Sequence, residues 1–140
     1  ERLLRSFGPR NDVKSEIRNP TSELNMTLEY FRDYCLALPH VTEDTPFGPT
    51  TLVFRVGGKM FALMDIDNFP YVNLKCDPER AIELREQYPG ITPGYHMNKT
   101  LWNSVSTRGN VPDPLILELA RDSYQLIRDS LPKKVRESLE

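Results

Sequence analysis

Two β-prone runs that meet at a pair of glycines constrain this fold more than any other feature of the sequence. The runs span residues 51–56 and 59–65, and Gly57-Gly58 lies between them. Glycine adopts positive φ without a Cβ penalty, so the pair predicts a two-residue hairpin turn. Counting outward from the turn predicts which side chains share one face, and that face is predicted to be core. The pairs on this face are Phe54 with Phe61 and Leu52 with Leu63.

Helix-start and helix-stop signals place the predicted helices. Thr27 is a good N-cap, and apolar residues recur at helical spacing until Pro39. Asp77-Pro78 and Asp113-Pro114 each join a capping carboxylate to a proline that needs no hydrogen-bond partner at the first helical position. The predicted helices cover residues 27–38, 77–87 and 113–131, with a short terminal helix over 133–139. The stripe predicted to face the core from the long helix is Leu117, Ala120, Tyr124, Ile127 and Leu131.

Alternating patterns predict the rest of the sheet. Along residues 71–75, Val72 and Leu74 are predicted to face the core, and the intervening side chains the other side. A second hairpin is predicted from strands at 94–97 and 102–107, and residues 40–49 are predicted to be a loop with at most a short strand near 45–47. The order of elements indicates an α+β fold. Its antiparallel sheet would contain two hairpins plus a connecting strand, with helices packed mainly on one face.

Composition indicates one ordinary globular domain. Residues 1–25 alternate charged residues with Ser, Asn and Pro and are predicted to form a flexible N-terminal extension, so the domain would cover 26–140. The net charge of −2 lacks the basic excess of a typical nucleic-acid binder, so any such function would come from a local patch. No apolar run approaches the roughly 20 residues of a membrane span, so we expect a cytoplasmic protein.

The sequence offers little catalytic or metal-binding chemistry. Cys35 and Cys76 lie far apart, without zinc-type spacing and without the neighbours of an activated nucleophile. His40 and His96 are the only histidines. We therefore expect a protein that is not an enzyme and that needs no metal or cofactor.

Basic, amide and aromatic residues at the predicted hairpins suggest a binding surface. Such residues suit phosphate contacts combined with contacts to bases, although lysines at turns also serve solubility and a lone tryptophan also serves as a core anchor. The alternative hypothesis is a protein- or small-ligand-binding face that uses Tyr71, Asn73, Arg55 and Trp102. The candidate DNA-binding residues are Arg55, Lys59, Lys75, His96, Asn98, Lys99 and Trp102.

Several motifs from Met26 onwards resemble the MmcQ/YjbR-like family of small bacterial proteins, in family-like order and spacing. They are LPHVTE at 38–43, TLVFRVGGKMFAL at 51–63, VNLKCDPE at 72–79, PGYHMNKTLWNSV at 93–105 and SLPKK at 130–134.

The resemblance implies a frataxin-like α+β fold and a double-wing arrangement in which two hairpins bind DNA. It places Lys59 in one wing and His96, Asn98, Lys99 and Trp102 in the other. Thr100-Leu101 stand where the family commonly has a basic or histidine residue before the tryptophan, which removes phosphate contacts from that wing. Frataxin-type iron binding is not expected, because the first helix offers only Glu29 and Asp33. The expected partner is DNA, bound weakly by a monomer through phosphates.

Overall fold

The computed structural model describes residues 26–139, which form one six-stranded antiparallel sheet and four helices. The strand order is β1-β2-β3-β4-β6-β5. The predicted N-terminal extension lies outside the described residues. Within residues 26–139, none of the four helices combines the length and the hydrophobicity of a membrane span. In chain order the elements are α1 Leu28–Leu36, β1 Val41–Asp44, β2 Thr51–Val56, β3 Lys59–Asp65, β4 Tyr71–Lys75, α2 Pro78–Gln87, β5 Ile91–Pro93, β6 Trp102–Ser106, α3 Asp113–Ser130 and α4 Lys133–Ser138.

Helices α1, α2 and α3 share one hydrophobic core with one face of the sheet, which we call the inner face. Phe31 of α1, Ala81 of α2 and Ala120 of α3 are fully buried in this core together with inner-face residues such as Val72. The opposite face, called the outer face below, carries the alternate residues of each strand. The predicted α+β fold, with its antiparallel sheet and helices on one face, is confirmed.

Two helix starts follow the predicted capping mechanism, and the third differs. The Thr27 hydroxyl accepts a hydrogen bond from the Tyr30 amide at 3.1 Å, and the Asp77 carboxylate accepts one from the Arg80 amide at 3.3 Å. Helix α3 instead has Pro112 at its N-cap and begins at Asp113. Because Pro112 already holds the extended cap conformation, Asp113 moves into the first turn, where its charge complements the helix dipole.

The β2–β3 hairpin contains a β-bulge that the sequence did not predict. Val56 lies opposite Lys59 as expected, but the register then shifts, and Phe54 lies opposite Ala62. The predicted pairs Phe54–Phe61 and Leu52–Leu63 are therefore wrong. The bulge allows the consecutive apolar residues Phe61 and Ala62 both to join the core, and the rings of Phe54 and Phe61 remain 6.4 Å apart. The displaced pairs are Leu52 with Met64 and Val53 with Leu63.

The first strand lies earlier than predicted, at the edge of the sheet. Residues 40–49 were expected to be a loop with a short strand near 45–47, but β1 covers Val41–Asp44 and pairs with β2. The acidic strand is accommodated because Arg32 of α1 pairs with Glu43, and Arg55 of β2 pairs with Asp44. Charged residues also suit an edge strand, since they discourage pairing with other chains.

The second hairpin is also displaced from its predicted position. The strand expected at 94–97 is β5 at Ile91–Pro93, and residues 94–101 form the connection to β6. The ladder ends at Gly94, whose amide donates to the Trp102 carbonyl at 2.8 Å. A Cβ at Gly94 would lie 2.8 Å from the Trp102 Cβ, so this close approach requires glycine. His96 then adopts a positive φ of 59° within the connection.

Helix α3 packs on the sheet through a stripe that includes one serine. Ala120, Tyr124 and Ile127 are buried as predicted, whereas Leu117 is only partly buried. The Ser123 hydroxyl donates to the Phe61 carbonyl at 2.6 Å and accepts from the Lys75 amide at 2.9 Å. A bulge disrupts the ladder locally, so a hydroxyl from α3 replaces sheet hydrogen bonds at this point. The buried stripe is Ile116, Leu119, Ala120, Ser123, Tyr124 and Ile127.

Candidate nucleic-acid interface

Both predicted wings lie at the same end of the sheet, which we call the turn end. The Gly57-Gly58 turn joins β2 to β3 there, and Lys75 at the end of β4 pairs with Trp102 at the start of β6. The connection 94–101 enters β6 at the same end. Three strand spacings separate the two turns in the sheet, which is about 14 Å before twist. A single extended ligand therefore reaches both.

Every lysine among the described residues lies at the turn end. Lys133 and Lys134 join the three lysines of the strands and turns, because Leu131 packs against the β2–β3 turn immediately before α4 begins. A Cβ at Gly57 would lie only 2.5 Å from the Leu131 Cδ1 atom. The five lysines are Lys59, Lys75, Lys99, Lys133 and Lys134. Sequence reasoning assigned only the first three to this surface, since the contact between Leu131 and Gly57 has no local signal.

The candidate residue Arg55 helps to hold the first turn. Its Nε atom donates to the Asp44 carboxylate at 3.0 Å, and its Nη1 atom donates to the Gly58 carbonyl at 3.1 Å. The guanidinium charge is thus partly balanced by Asp44. Lys59, in contrast, is exposed at the turn itself.

Some candidates in the second wing stabilise the connection 94–101 through hydrogen bonds, and others are exposed on it. The Asn98 side-chain oxygen accepts from the amides of Thr100 and Leu101, at 2.9 Å and 3.1 Å, while the Lys99 ammonium donates to the Gly94 carbonyl at 2.9 Å. His96 is exposed.

Trp102 is a buried residue on which the start of the connection 94–101 packs. Only 8% of Trp102 is exposed, and the backbone of Gly94 packs directly on its Cβ atom. The indole is buried on the outer face, separate from the main core. This agrees with the alternative interpretation of Trp102 as an anchor, because a buried ring has no free face on which a base can stack.

The connection covers part of the outer face and binds it through Asn73. Asn73 points outward as predicted, but it is only 1% exposed. Its Nδ2 atom donates to the Tyr95 carbonyl at 3.3 Å, and its Oδ1 atom accepts from the Ser104 hydroxyl. The same hydroxyl accepts from the Tyr95 amide at 2.9 Å. The backbone of Tyr95 is therefore held on both sides while 57% of the residue remains exposed.

A groove of about 450 Å³ opens beside Tyr95 on the outer face. The rings of Tyr71 and Tyr95 meet edge to face with centroids 6.2 Å apart, and the His96 ring lies 4.0 Å from that of Tyr95. Burial raises the pKa of the Tyr71 hydroxyl, so this side chain is neutral at physiological pH. Tyr95 was not predicted as a site residue, although an aromatic residue next to His96 was a visible signal. Polar wall residues of the groove are Thr92, Ser104, Ser106 and Asn110.

A second, smaller cavity of about 290 Å³ lies between α2 and α3. Its rim includes Arg80, which pairs with Glu118 at 2.8 Å and with Asp122. Cys76 lines the cavity, and burial raises the pKa of its thiol as it does that of Cys35. Both thiols are therefore poor nucleophiles, since the thiolate is the reactive form. Within residues 26–139, no three side chains of His, Cys, Asp or Glu are gathered so that they could hold a metal ion.

Comparisons with known proteins agree with the motifs and the fold. The YjbR family model matches residues 36–126. Uncharacterized protein YbdF of Escherichia coli O157:H7 is 42% identical over 100 residues, which are 71% of this chain and 82% of that protein. Uncharacterized protein YjbR of Escherichia coli K12 is 33% identical over 115 residues, covering 81% of this chain and 98% of that protein.

A solved relative shows the same architecture. The crystal structure of Deinococcus radiodurans protein DR2400 superposes with a TM-score of 0.78 at 43% identity, over 83% of this chain and 89% of that one. A protein from Pseudomonas syringae superposes with a TM-score of 0.63 at 32% identity, over 73% of this chain and 99% of that one. With the family model covering most of the described domain, this chain belongs to the YjbR family.

Proposed function

We propose that this domain binds DNA through phosphate contacts at the turn end of the sheet. The observation that carries the proposal is the segregation of lysines: all five in the described residues lie at that end, in a chain with a net charge of −2. Lysine-phosphate contacts release condensed counterions and supply sequence-independent affinity. A local basic end on an acidic protein concentrates this attraction on one surface.

The positions of the two turns support contact at two points. Lys59 follows the first turn, Lys133 and Lys134 come shortly after Leu131, which packs on that turn, and Lys75 and Lys99 lie near the second turn. This agrees with the double-wing arrangement and the frataxin-like fold that the family resemblance implies. The role that we propose is binding, without catalysis, in the cytoplasm. The acidic net charge makes us expect modest affinity at physiological salt.

A titration of fluorescently labelled DNA with the full chain tests the proposal. Duplex and single-stranded oligonucleotides are titrated at several salt concentrations, and log affinity is plotted against log salt. We expect Lys59→Ala, Lys75→Ala and Lys99→Ala each to weaken binding to all sequences alike and to reduce the salt slope by about one unit.

Arg121 provides the control for these lysine variants. It is an exposed cation on α3, the helix that packs on the inner face of the sheet, away from both turns and from the outer face. Arg121→Ala should leave affinity nearly unchanged. Binding that is absent at low ionic strength, or that does not respond to salt, would overturn the proposal.

The Tyr71–Tyr95 groove favours a second candidate function, the binding of a protein or small ligand. Its volume of about 450 Å³ lies within the range of small-molecule sites, and it combines two aromatic rings with hydroxyl groups. The predicted ligand face was different, because Asn73 and Trp102 are buried under the connection and Arg55 is paired. Binding of an uncharged ligand in the groove, combined with no affinity for DNA, would favour this candidate.

A further inference from the structure

We propose that the Tyr71–Tyr95 groove is a base-stacking site, so that the ligand of the turn end is an unpaired nucleic-acid strand and not an intact duplex. This inference rests on the proposed function and specifies its substrate class. Its basis is that the exposed Tyr95 and the partly buried Tyr71 share a groove on the outer face, which also carries Lys75, and that Tyr95 and Lys99 belong to the same connection.

The aromatic rings are presented on a fixed backbone. Tyr95 is 57% exposed, yet its amide and its carbonyl are both bound by groups of the outer face, through Ser104 and Asn73. The close packing of Gly94 on Trp102 fixes the preceding residue as well. Tyr95 therefore presents a large ring to solvent from an anchored segment of backbone. Such a ring is pre-organised for stacking.

The neighbouring groups suit an unpaired nucleotide. The rings of Tyr71 and Tyr95 meet edge to face, and the His96 ring extends the same cluster. The hydroxyls of Thr92 and Ser106 and the Asn110 amide supply donors and acceptors for the edge of a base or for a sugar. Bases within a duplex are stacked on each other and are not available to such a groove, whereas single strands expose them.

The lysines lie where the backbone of such a strand would run. Lys75 lies on the same strand and outer face as Tyr71, four residues and about 13 Å away. Lys99 belongs to the same connection as Tyr95. A single strand that runs along the outer face from Lys75 towards Tyr71 therefore meets cationic groups at the turn end and stackable rings farther along, and single-strand binding sites combine these two kinds of group.

The test compares stacking with charge by using a labelled 12-nucleotide oligothymidine, a 12-base-pair duplex and variants of Tyr95. We expect the wild-type protein to prefer the single strand. Tyr95→Ala and Tyr95→Leu should weaken single-strand binding about 5- to 100-fold, and Tyr95→Phe should bind within about twofold of the wild type, because only an aromatic ring stacks. The salt slope should be the same for all four proteins, since none of these substitutions changes charge.

The outcomes separate this inference from the proposed function. Oligothymidine binding that the lysine variants weaken but Tyr95→Ala leaves unchanged would overturn the stacking site and retain the phosphate contacts. Equal or tighter binding to the duplex, with no response to Tyr95 variants, would do the same. Absence of binding to either oligonucleotide would overturn the proposed function itself. Binding of a proline-rich peptide in place of DNA, abolished in Tyr95→Ala, would assign the groove to a protein partner and overturn the inference.

Discussion

Gly57 is constrained by its backbone conformation and by a neighbour from the distant end of the chain. Its φ is 59°, a left-handed conformation in which side chains other than glycine are strained. The Leu131 side chain fills the position that a Cβ would need. The residue thus links the first turn to the start of α4, and it brings Lys133 and Lys134 to the same surface as Lys59.

Replacing Gly57 by alanine should destabilise the domain more than replacing its neighbour. Both glycines have positive φ, but nothing lies within 4 Å of a Cβ added at Gly58. We expect Gly58→Ala to cost about 1–2 kcal/mol from backbone strain, and Gly57→Ala to cost more because Leu131 must also move. Denaturant unfolding of the two variants measures the difference. Equal losses of stability would contradict the contact between Leu131 and the turn.

At the level of elements, Ser123 connects α3 to the two central strands. Its hydroxyl is fully buried and bonds backbone groups of both Phe61 in β3 and Lys75 in β4. Ser123→Ala leaves a buried carbonyl and a buried amide without this partner, so we expect a loss of about 1–3 kcal/mol in the free energy of unfolding. Ser130→Ala is the matched control, because that hydroxyl only bonds Ile127 within the same helix. If both variants unfold at the same denaturant concentration, the bridging role is wrong.

The ion pair between α1 and β1 should make stability depend on pH. The hydrogen bond from Arg32 lowers the pKa of the Glu43 carboxyl in the folded state, whereas the unfolded value is about 4.3. The pair therefore stabilises the fold above that unfolded pKa, and its contribution is lost as pH falls through the lower, folded-state pKa.

We expect Glu43→Gln to reduce the loss of stability that wild-type protein shows below about pH 5. Unfolding by denaturant at a series of pH values checks this. Glu29→Gln removes an equal charge from an exposed position on α1, the helix that carries Arg32, and provides the control. Identical pH profiles for wild type and Glu43→Gln would show that the pair contributes nothing.

Local signals in the sequence were sufficient for most elements but not for their exact pairing. The bounds of α2 and β4 were predicted correctly because capping residues and alternation act within a few residues. The bulge at Phe61 was not predictable, since it depends on Ser123 from a helix that is 62 residues away. The burial of Asn73 likewise depends on the connection 94–101, which folds back over it.

The sequence predicted which types of residue form the candidate site better than it predicted which of them are exposed. Lys59 and His96 are exposed as a binding residue requires, while Trp102 is buried and Arg55 is paired. Exposure depends on how the connection folds over the sheet, and sequence spacing does not report this. Tyr95 is the exposed aromatic residue on this surface, a role that the sequence suggested for Trp102.

For the whole molecule, the proposed DNA binding depends more on the distribution of charge than on the net charge. A chain of net charge −2 would be expected to avoid DNA if its cations were spread evenly. The concentration of the five described lysines near the two turns is what makes the proposed interface possible. DNA affinity should therefore depend on where the charges lie, and variants that have the same net charge test this.

The most direct test is the salt dependence of DNA affinity in two charge-matched double variants. Lys59→Ala with Lys99→Ala removes two cations from the turn end, and Arg32→Ala with Arg121→Ala removes two exposed cations from α1 and α3. We expect the lysine pair to reduce the slope of log affinity against log salt by about two units, and the arginine pair to leave it close to the wild-type value. Equal reductions in both variants would show that net charge alone governs binding, and would contradict a specific interface at the turn end.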